Sequence, residues 1–431
     1  MNNNPYPTST PSASCDLLIV GAGPAGMAAA LAAAPSGARI TLLDDNPAPG
    51  GQIWRDGPVA HLPPQALRLR DALSRCANVH VLCGTRVVSL AGSGALLLED
   101  AERGWTQRYD KLILCTGARE LLLPFPGWTL PGVTGAGGLQ ALIKAGLPVA
   151  GERIAIAGSG PLLLAAAATA RQAGARVVRV AEQASLAHVA AFAAQLARWP
   201  GKALQALTLA DKSYRTACQV VSAQGRARVE SVQVQQGGKF TDMDCERVAS
   251  GFGLVPNTQL GQLLGCALVP SLGGAPALAF DAFQATSLAD VYAAGECTGF
   301  GGSERALVQG TIAGHAAVGN SAAAHQHWLQ LAHWNAFATQ LHRHFALAPS
   351  LKQIPRPDTL VCRCEDVPYA VLARCEGWTD AKLHSRCGMG ACQGRVCGAA
   401  TQFLFGWEPP APRTPLVPAR IATLADAFNT G

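Results

Sequence analysis

The sequence predicts an α/β chain: two doubly wound, parallel-sheet units followed by a small cysteine-rich domain. Three observations predict it. A short apolar run breaks into Gly21-Ala22-Gly23-Pro24-Ala25-Gly26, and an alanine-rich stretch follows. A second apolar run breaks the same way into Gly158-Ser159-Gly160-Pro161-Leu162-Leu163. Six of the 14 cysteines fall between Cys362 and Cys397, so that segment differs in kind from the rest.

The first run, Asp16 to Val20, reads as a buried parallel strand leading through the loop into a helix. Gly21 allows the tight turn, Gly23 lets backbone approach a pyrophosphate, and Gly26 lets helix pack on strand. The pyrophosphate would sit on the helix N-terminus, with Pro24 and Ala25 in its first turn, where free N–H groups and the dipole favour anions. Ile40 to Asp44 reads as the next strand and ends on an acid 18 residues past Gly26, where a ribose hydroxyl needs an acceptor. Strand, loop, helix, strand and acid in that order form the dinucleotide-binding, Rossmann-like pattern.

The Pro/Gly-rich loop Asp45 to Arg55 follows, in which Gly51 and Gln52 can lay backbone N–H groups near a cofactor ring. Gln65 to Arg75 reads as a helix and Val79 to Leu98 as short strands. The strand Tyr109 to Cys115 runs into Thr116-Gly117, and Pro124, Pro126, Gly127, Pro131 and Gly132 mark a linker.

In the second unit Leu163 stands where the third glycine belongs. Its side chain is expected to push helix from strand and reshape the pocket. A strand from Ala175 to Ala181 follows, then Glu182. Gly158 and Gly160 stay candidate contacts for a second nucleotide, NAD(P) or ATP. A retained fold put to another use is the competing reading. Gly251 to Asn257 ends a strand and turns back towards the first unit. Asp290 to Ala294 is a strand running into Gly295-Glu296, ahead of a glycine-rich turn and a helix from Ala306 to Ala317.

His315, His325, His327, His333, His342 and His344 are scattered through a helical stretch, and His325 and His327 cannot share a helix face. A solvated connecting helix accounts for them better than a metal site. Pro349, Pro355 and Pro357 mark a boundary.

The cysteine segment opens Cys362-Arg363-Cys364 and closes Cys387-Gly388-Met389-Gly390-Ala391-Cys392-Gln393-Gly394-Arg395-Val396-Cys397. Four thiolates on two loops suit 2Fe–2S or zinc. Structural zinc favours Cys-x-x-Cys knuckles, which Cys-x-Cys with Cys-x4-Cys fits poorly. The glycines leave N–H groups free for sulfur, and Arg363, Arg386 and Arg395 offset cluster charge. The expected ligands are Cys362, Cys364, Cys392 and Cys397. Cys387 is the rival, because Cys387-x4-Cys392 repeats the spacing. Cys375 sits in a helix-like run and reads as core. The eight upstream cysteines contain no Cys-x-x-Cys, so the redox disulfide of disulfide reductases is absent.

Composition sets outer limits. At 431 residues there is room for two to four domains; 49% hydrophobic and 14% charged residues exclude a disordered chain. A net charge of +6 without a long basic run argues against nucleic acid. No export signal is evident, and the apolar stretch Ile154 to Ala170 is broken by Gly158, Gly160 and Pro161. The expectation is a cytoplasmic protein with reduced thiols, meeting the inner membrane only through partners. The expected division is a disordered tail (1–15), a first nucleotide domain (16–122 and 281–330), a second (123–280), a helical linker (331–357), a 2Fe–2S domain (358–405) and a Pro-rich tail (406–431).

Residues 16 to about 330 resemble the two-dinucleotide-domain flavoproteins, through Val20 to Gly26, Gly50-Gly51-Gln52-Ile53, Ala293 to Glu296, and Ala157 to Leu164. Residues 360 to 400 resemble bacterioferritin-associated-ferredoxin-type 2Fe–2S domains, with the last pair spaced x4 instead of x2. The combination, with Arg386 to Cys397 as its most specific stretch, is similar to one group. That group contains the A or alpha subunits of opine oxidases and of D-hydroxyproline and dye-linked L-proline dehydrogenases, and the middle subunit of hydrogen cyanide synthase. The resemblance implies FAD held at Gly21, Gly23, Gly26, Asp44 and Glu296, with Glu296 near the ribityl–phosphate region. It implies a cluster at the four chosen cysteines, and substrate oxidation on a separate FAD-bearing beta subunit of D-amino-acid-oxidase type. The other implied partners are a quinone or dye acceptor and a small ferredoxin-like 2Fe–2S gamma subunit. No general base or nucleophile stands out near the flavin loops, so no catalytic residue is assigned. The Pro-rich tail looks like a segment that lies on a partner.

Overall fold

A computed structural model describes residues 13–408 and 411–429. The expected disordered tail lies mostly outside the described residues. The chain divides into two compact units: residues 1–119, 256–338 and 411–431, and residues 120–255 and 339–410.

The first unit is built on a sheet with the strand order Val79–Cys83, Ile40–Asp44, Ser14–Val20, Gly104–Leu114, Ala95–Glu99, Arg86–Leu90, and Val291–Ala293 also pairs on Gly104–Leu114. Ser14–Val20 runs parallel to both its neighbours, with Val20 opposite Leu43 and Leu114. That register brings the ends of three strands, and the loops after them, to one edge. Ile40, Leu42, Ile113 and Met27 are sealed in the core on one face of the sheet; Leu18, Leu112 and Leu114 are sealed on the other. The helix Pro24–Ala33 opens on proline at its first turn, where a missing N–H costs nothing, and is almost wholly buried. It packs on the helix Ser303–Ala317, where a Cβ on Gly310 would come within 2.0 Å of the Ala25 carbonyl oxygen. The strand expected at Tyr109 to Cys115 begins earlier, at Gly104, as the far arm of the Ala95–Glu99 hairpin.

The C-terminal segment packs in part on its own chain. Leu416 N–H donates to the Val88 carbonyl (2.7 Å), and Arg420 N–H donates to the buried Glu99 carboxylate (2.9 Å).

The second unit has a five-stranded sheet, Tyr214–Arg215, Arg176–Glu182, Arg153–Gly158, Arg247–Gly251, Val133–Gly135, parallel throughout, beside an antiparallel three-stranded sheet. Leu163 does not break the fold. It is fully buried among Ile154, Ile156 and Val180 in the core between sheet and helix. The helix begins at Leu162, with Pro161 at its N-cap. The cysteine segment belongs to this same unit and has its own small core of Val361, Val367, Leu372, Trp378 and Ala400. Among the described residues, no helix is long and apolar enough to cross a membrane.

Candidate functional site

The fingerprint loop is shaped by contacts that only glycine permits. A Cβ at Gly21, whose φ is +106°, would lie 2.2 Å from the Cys115 carbonyl oxygen. One at Gly26 would lie 1.8 Å from the carbonyl oxygen of Gly21. The loop containing Gly51 folds back onto this turn: Gly50 N–H donates to the Ala22 carbonyl at 2.7 Å, and the backbone of Gly51 lies against that of Gly23. Gln52 is exposed at the rim and accepts a hydrogen bond from Arg55 at 2.8 Å. Asp44 is buried. Its carboxylate accepts from Ala22 N–H (2.6 Å) and from Asn46 N–H (2.8 Å). Burial pushes its pKa up, and the Asn46 and Ala22 N–H groups oppose that.

On the neighbouring strand ends, the Thr116 hydroxyl donates to the Asn257 carbonyl (2.6 Å), and Asn257 Nδ2 donates back to Thr116 (3.0 Å). Asn257 N–H donates to the Gly117 carbonyl, so this crossing point is held from both sides. Gly295 abuts Ala25, and its N–H donates to Gln309 Oε1 (3.1 Å). Glu296 opens a short 3-10 turn. Burial pushes its carboxyl up to about 7, against the pull of the Arg305 guanidinium and the Gly302 N–H. Arg305 is itself buried, bonded to the Gly299 carbonyl and to Asn335 Oδ1, both at 2.7 Å. Arg305, Gln309 and Asn257 were not singled out by the sequence. Arg305 lies one residue ahead of the helix expected at Ala306 to Ala317, which begins at Ser303, and its burial is what marks it.

Gly21, Gly23, Pro24, Ala25, Gly26, Asp44, Gly51, Gln52, Thr116, Gly117, Gly295 and Glu296 therefore all belong to the first unit, at the ends of its parallel strands, on the turns that follow them or at the start of the helix Pro24–Ala33. A glycine-lined turn at a helix N-terminus, a buried acid behind it and a second acid beside a buried cation fit an extended dinucleotide such as FAD.

Gly158 and Gly160 lie in the second unit. Glu182 is fully buried there, and its carboxylate accepts from Gly160 N–H (2.7 Å) and Ala184 N–H (2.9 Å). Burial pushes it up to about 7, despite those bonds and the Tyr214 hydroxyl.

In the cysteine segment, Cys362, Cys387 and Cys397 are buried, and their sulfurs lie within 4.8 Å of one another. Cys364 is exposed and pairs with Cys392. Two of the four expected ligands thus sit in the three-thiol group with the rival, and the other two sit together. A Cβ at Gly390 would lie 2.3 Å from the Cβ of Cys364, so a side chain there would force the two cysteine loops apart. The Cys362 thiol is driven far down by hydrogen bonds from the Cys387 and Cys397 thiols, and those two are driven up. Three buried thiols this close together are the donor chemistry of a metal group. Cys375 lies partly buried beside this core, its thiol on the Val371 carbonyl.

The pyridine nucleotide-disulphide oxidoreductase family model matches residues 15–326. The HcnB component of hydrogen cyanide synthase from Pseudomonas protegens is 32% identical over 88% of this chain and 89% of its own length. The opine oxidase A subunit of Rhizobium meliloti is 32% identical over 89% of this chain and 90% of its own length. L-proline dehydrogenase from P. horikoshii shares the fold, with a TM-score of 0.64 at 17% identity over 95% of this chain and 79% of that one. Thioredoxin reductase from T. acidophilum superposes with a TM-score of 0.55 at 22% identity, over 72% of this chain and all of that one. Here the eight cysteines ahead of residue 362 are free thiols with no Cys-x-x-Cys among them. This chain is an oxidoreductase that belongs to the pyridine nucleotide-disulphide oxidoreductase family, in the group that contains the opine oxidase A subunit and the HcnB component of hydrogen cyanide synthase.

Proposed function

We propose that the chain is the electron-transfer subunit of a heteromeric dehydrogenase. It would carry FAD in the first unit and a 2Fe–2S cluster in the cysteine segment. The organic substrate, an amino or imino acid of the opine, proline or hydroxyproline class, would be oxidised on a separate FAD-bearing subunit of D-amino-acid-oxidase type. A quinone or dye acceptor and a ferredoxin-like third subunit complete the assembly. The observation that carries this reading is the pairing, in one chain, of a glycine-lined dinucleotide turn with three buried thiols within 4.8 Å of one another, Cys364 lying two residues from one of them. When bound, a flavin exchanges electrons in twos or ones and a 2Fe–2S centre in ones, so the pair suits a two-to-one relay.

This chain's residues would act as holders. Gly21, Gly23 and Gly26 admit the pyrophosphate, Asp44 offers an acceptor to the ribose, and Glu296 with Arg305 sets the charge near the far end of the cradle. Cys362, Cys364, Cys392 and Cys397 would hold the cluster, leaving Cys387 as a buried neighbour. Arg363, Arg386 and Arg395 would offset the cluster's charge.

The test is co-expression with a partner of D-amino-acid-oxidase type and assay with a dye. The expected result is one FAD and two irons per copy of this chain. Cys392→Ser should abolish dye reduction while substrate still bleaches the partner's flavin. Purified chain with no iron and no acid-labile sulfide, or full dye activity in Cys392→Ser, overturns the reading.

A further inference from the structure

In the second unit, the cleft that would take a nucleotide is engaged by the chain's own backbone. The Ser159 hydroxyl, in the middle of the glycine turn, donates to the Phe345 carbonyl at 2.9 Å. Gln183, directly after the strand-end acid, donates from Nε2 to Ser159 Oγ and to the Ala346 carbonyl, both at 3.0 Å. Its Oε1 accepts from Ala348 N–H at 3.1 Å. The Phe345 side chain lies beside the turn: a Cβ on Gly160 would sit 3.9 Å from its Cγ, and its ring meets that of Phe192 in a T-shaped contact at 5.1 Å between centroids.

A dinucleotide uses the same places. Its pyrophosphate needs the second glycine of the turn, and its ribose needs the end of the second strand. In the first unit the acid takes the N–H of Ala22, between the glycines. In the second unit Glu182 reaches one residue further and takes the N–H of Gly160. Segment 345–348 then covers what remains.

The same segment leads into the cysteines. Leu351, in the turn that follows, is buried against Leu123 and Phe252, with Ile354 packed on them. The Trp128 indole N–H donates to the Leu360 carbonyl at 2.6 Å, and the Arg363 guanidinium lies 5.1 Å over the Trp128 ring. Three successive anchors on the nucleotide-type sheet domain thus hold the chain from Phe345 to the first cluster cysteine.

We infer that the second nucleotide-binding cleft is occupied by residues 345–348 of the chain itself, and that this domain serves as the cradle for the cysteine segment instead of as an NAD(P)H or ATP site. The inference does not depend on which substrate or acceptor the complex uses.

The experiment uses the full-length holoprotein. Calorimetric titration with NADH, NADPH and ATP should give no saturable binding up to about 1 mM, and NADH should not bleach the bound flavin. Hydrogen exchange at 345–348 should be the same with and without these nucleotides. Phe345→Ala with Gln183→Ala should speed exchange across 343–362 by roughly tenfold or more, while FAD content stays unchanged. Gln183→Ala alone, a smaller disturbance, should give part of that effect. Nucleotide binding to the unaltered protein at about 100 μM or tighter, with lost protection at 345–348, overturns the inference. So does exchange across 343–362 that neither variant alters. Loss of iron or dye activity in the unaltered protein would bear on the relay reading and leave these readouts intact.

Discussion

The carboxylate of Asp44 reaches back 22 residues to accept the backbone N–H of Ala22 at 2.6 Å, tying the end of one strand into the glycine turn that leaves its neighbour. Its other oxygen accepts from the Asn46 N–H (2.8 Å) and the Asn46 side-chain amide (2.7 Å). Asp44→Ala removes both, and a lost hydrogen bond to a charged group costs about 1.5–3 kcal/mol. FAD affinity should fall by about tenfold to a hundredfold. Flavin fluorescence titration of the deflavinated protein checks it, and Asp44→Asn should lose less.

Gly26 makes a sharper demand. With a Cβ only 1.8 Å from the Gly21 carbonyl oxygen, Gly26→Ala must part helix from strand. The expected outcome is protein without flavin and a clearly lowered melting temperature. Gly201→Ala is the control. That glycine is exposed in the helix Pro200–Thr208 with open space around it, so the change should stabilise by about 0.5–1 kcal/mol.

Local chemistry is what the sequence exposes. The fingerprint turn and its strand-end acid were legible because strand, glycine turn and acid recur at fixed offsets, and Leu163 was legible as a departure from them. Its consequence was not: the helix simply starts at Leu162 and the leucine joins the core. Arg305, the Phe345 segment and the tail contact through Arg420 depend on partners 6 to 321 residues away, and no spacing rule reports those. The cysteines fall between. Cys-x4-Cys occurs twice in overlap, so spacing alone could not separate Cys387 from Cys397, and the fold brings both against Cys362.

Glu99 holds the C-terminal segment. It is fully buried, and burial alone would raise its carboxyl. Neighbouring Thr423, the Arg86 guanidinium and the Arg420 N–H outweigh that and hold it at about 2. A depressed folded-state value stabilises above the unfolded carboxyl pKa of about 4.3, and that stabilisation is lost as pH falls towards 2. Hydrogen exchange at 411–425 should therefore rise between pH 4.5 and 2.5 before the sheet opens. Glu99→Gln should show fast exchange there already at pH 7.

Replacement of single cysteines separates ligands from neighbours. Cys362, Cys364, Cys392 and Cys397 changed to Ser should each leave well under half of the iron. Cys387→Ala and Cys375→Ser should keep two irons per chain. Iron and sulfide assays with the reduced-state paramagnetic signal decide it. Retained iron in Cys397→Ser with loss in Cys387→Ala would transfer the ligand role to Cys387.

Glu182 gives the second unit a pH slope of the opposite sense to that of Glu99. Its carboxyl is raised to about 7 in the fold because burial outweighs the N–H bonds it accepts. Between the unfolded value of about 4.3 and that point, the folded state holds a proton the unfolded chain has released. Stability must then fall as pH climbs through this window, by on the order of 2 kcal/mol once screening is allowed for. Glu296 contributes in the same direction from the first unit, so Glu182→Gln should remove only part of the slope. The variant should also be weaker throughout, because Gly160 and Ala184 each donate to a different carboxylate oxygen and an amide can accept from only one of them. Urea unfolding at pH 5, 6, 7 and 8 measures both effects: a lower curve with a shallower decline is expected, and an unchanged slope would mean that Glu182 is already ionised in the folded protein.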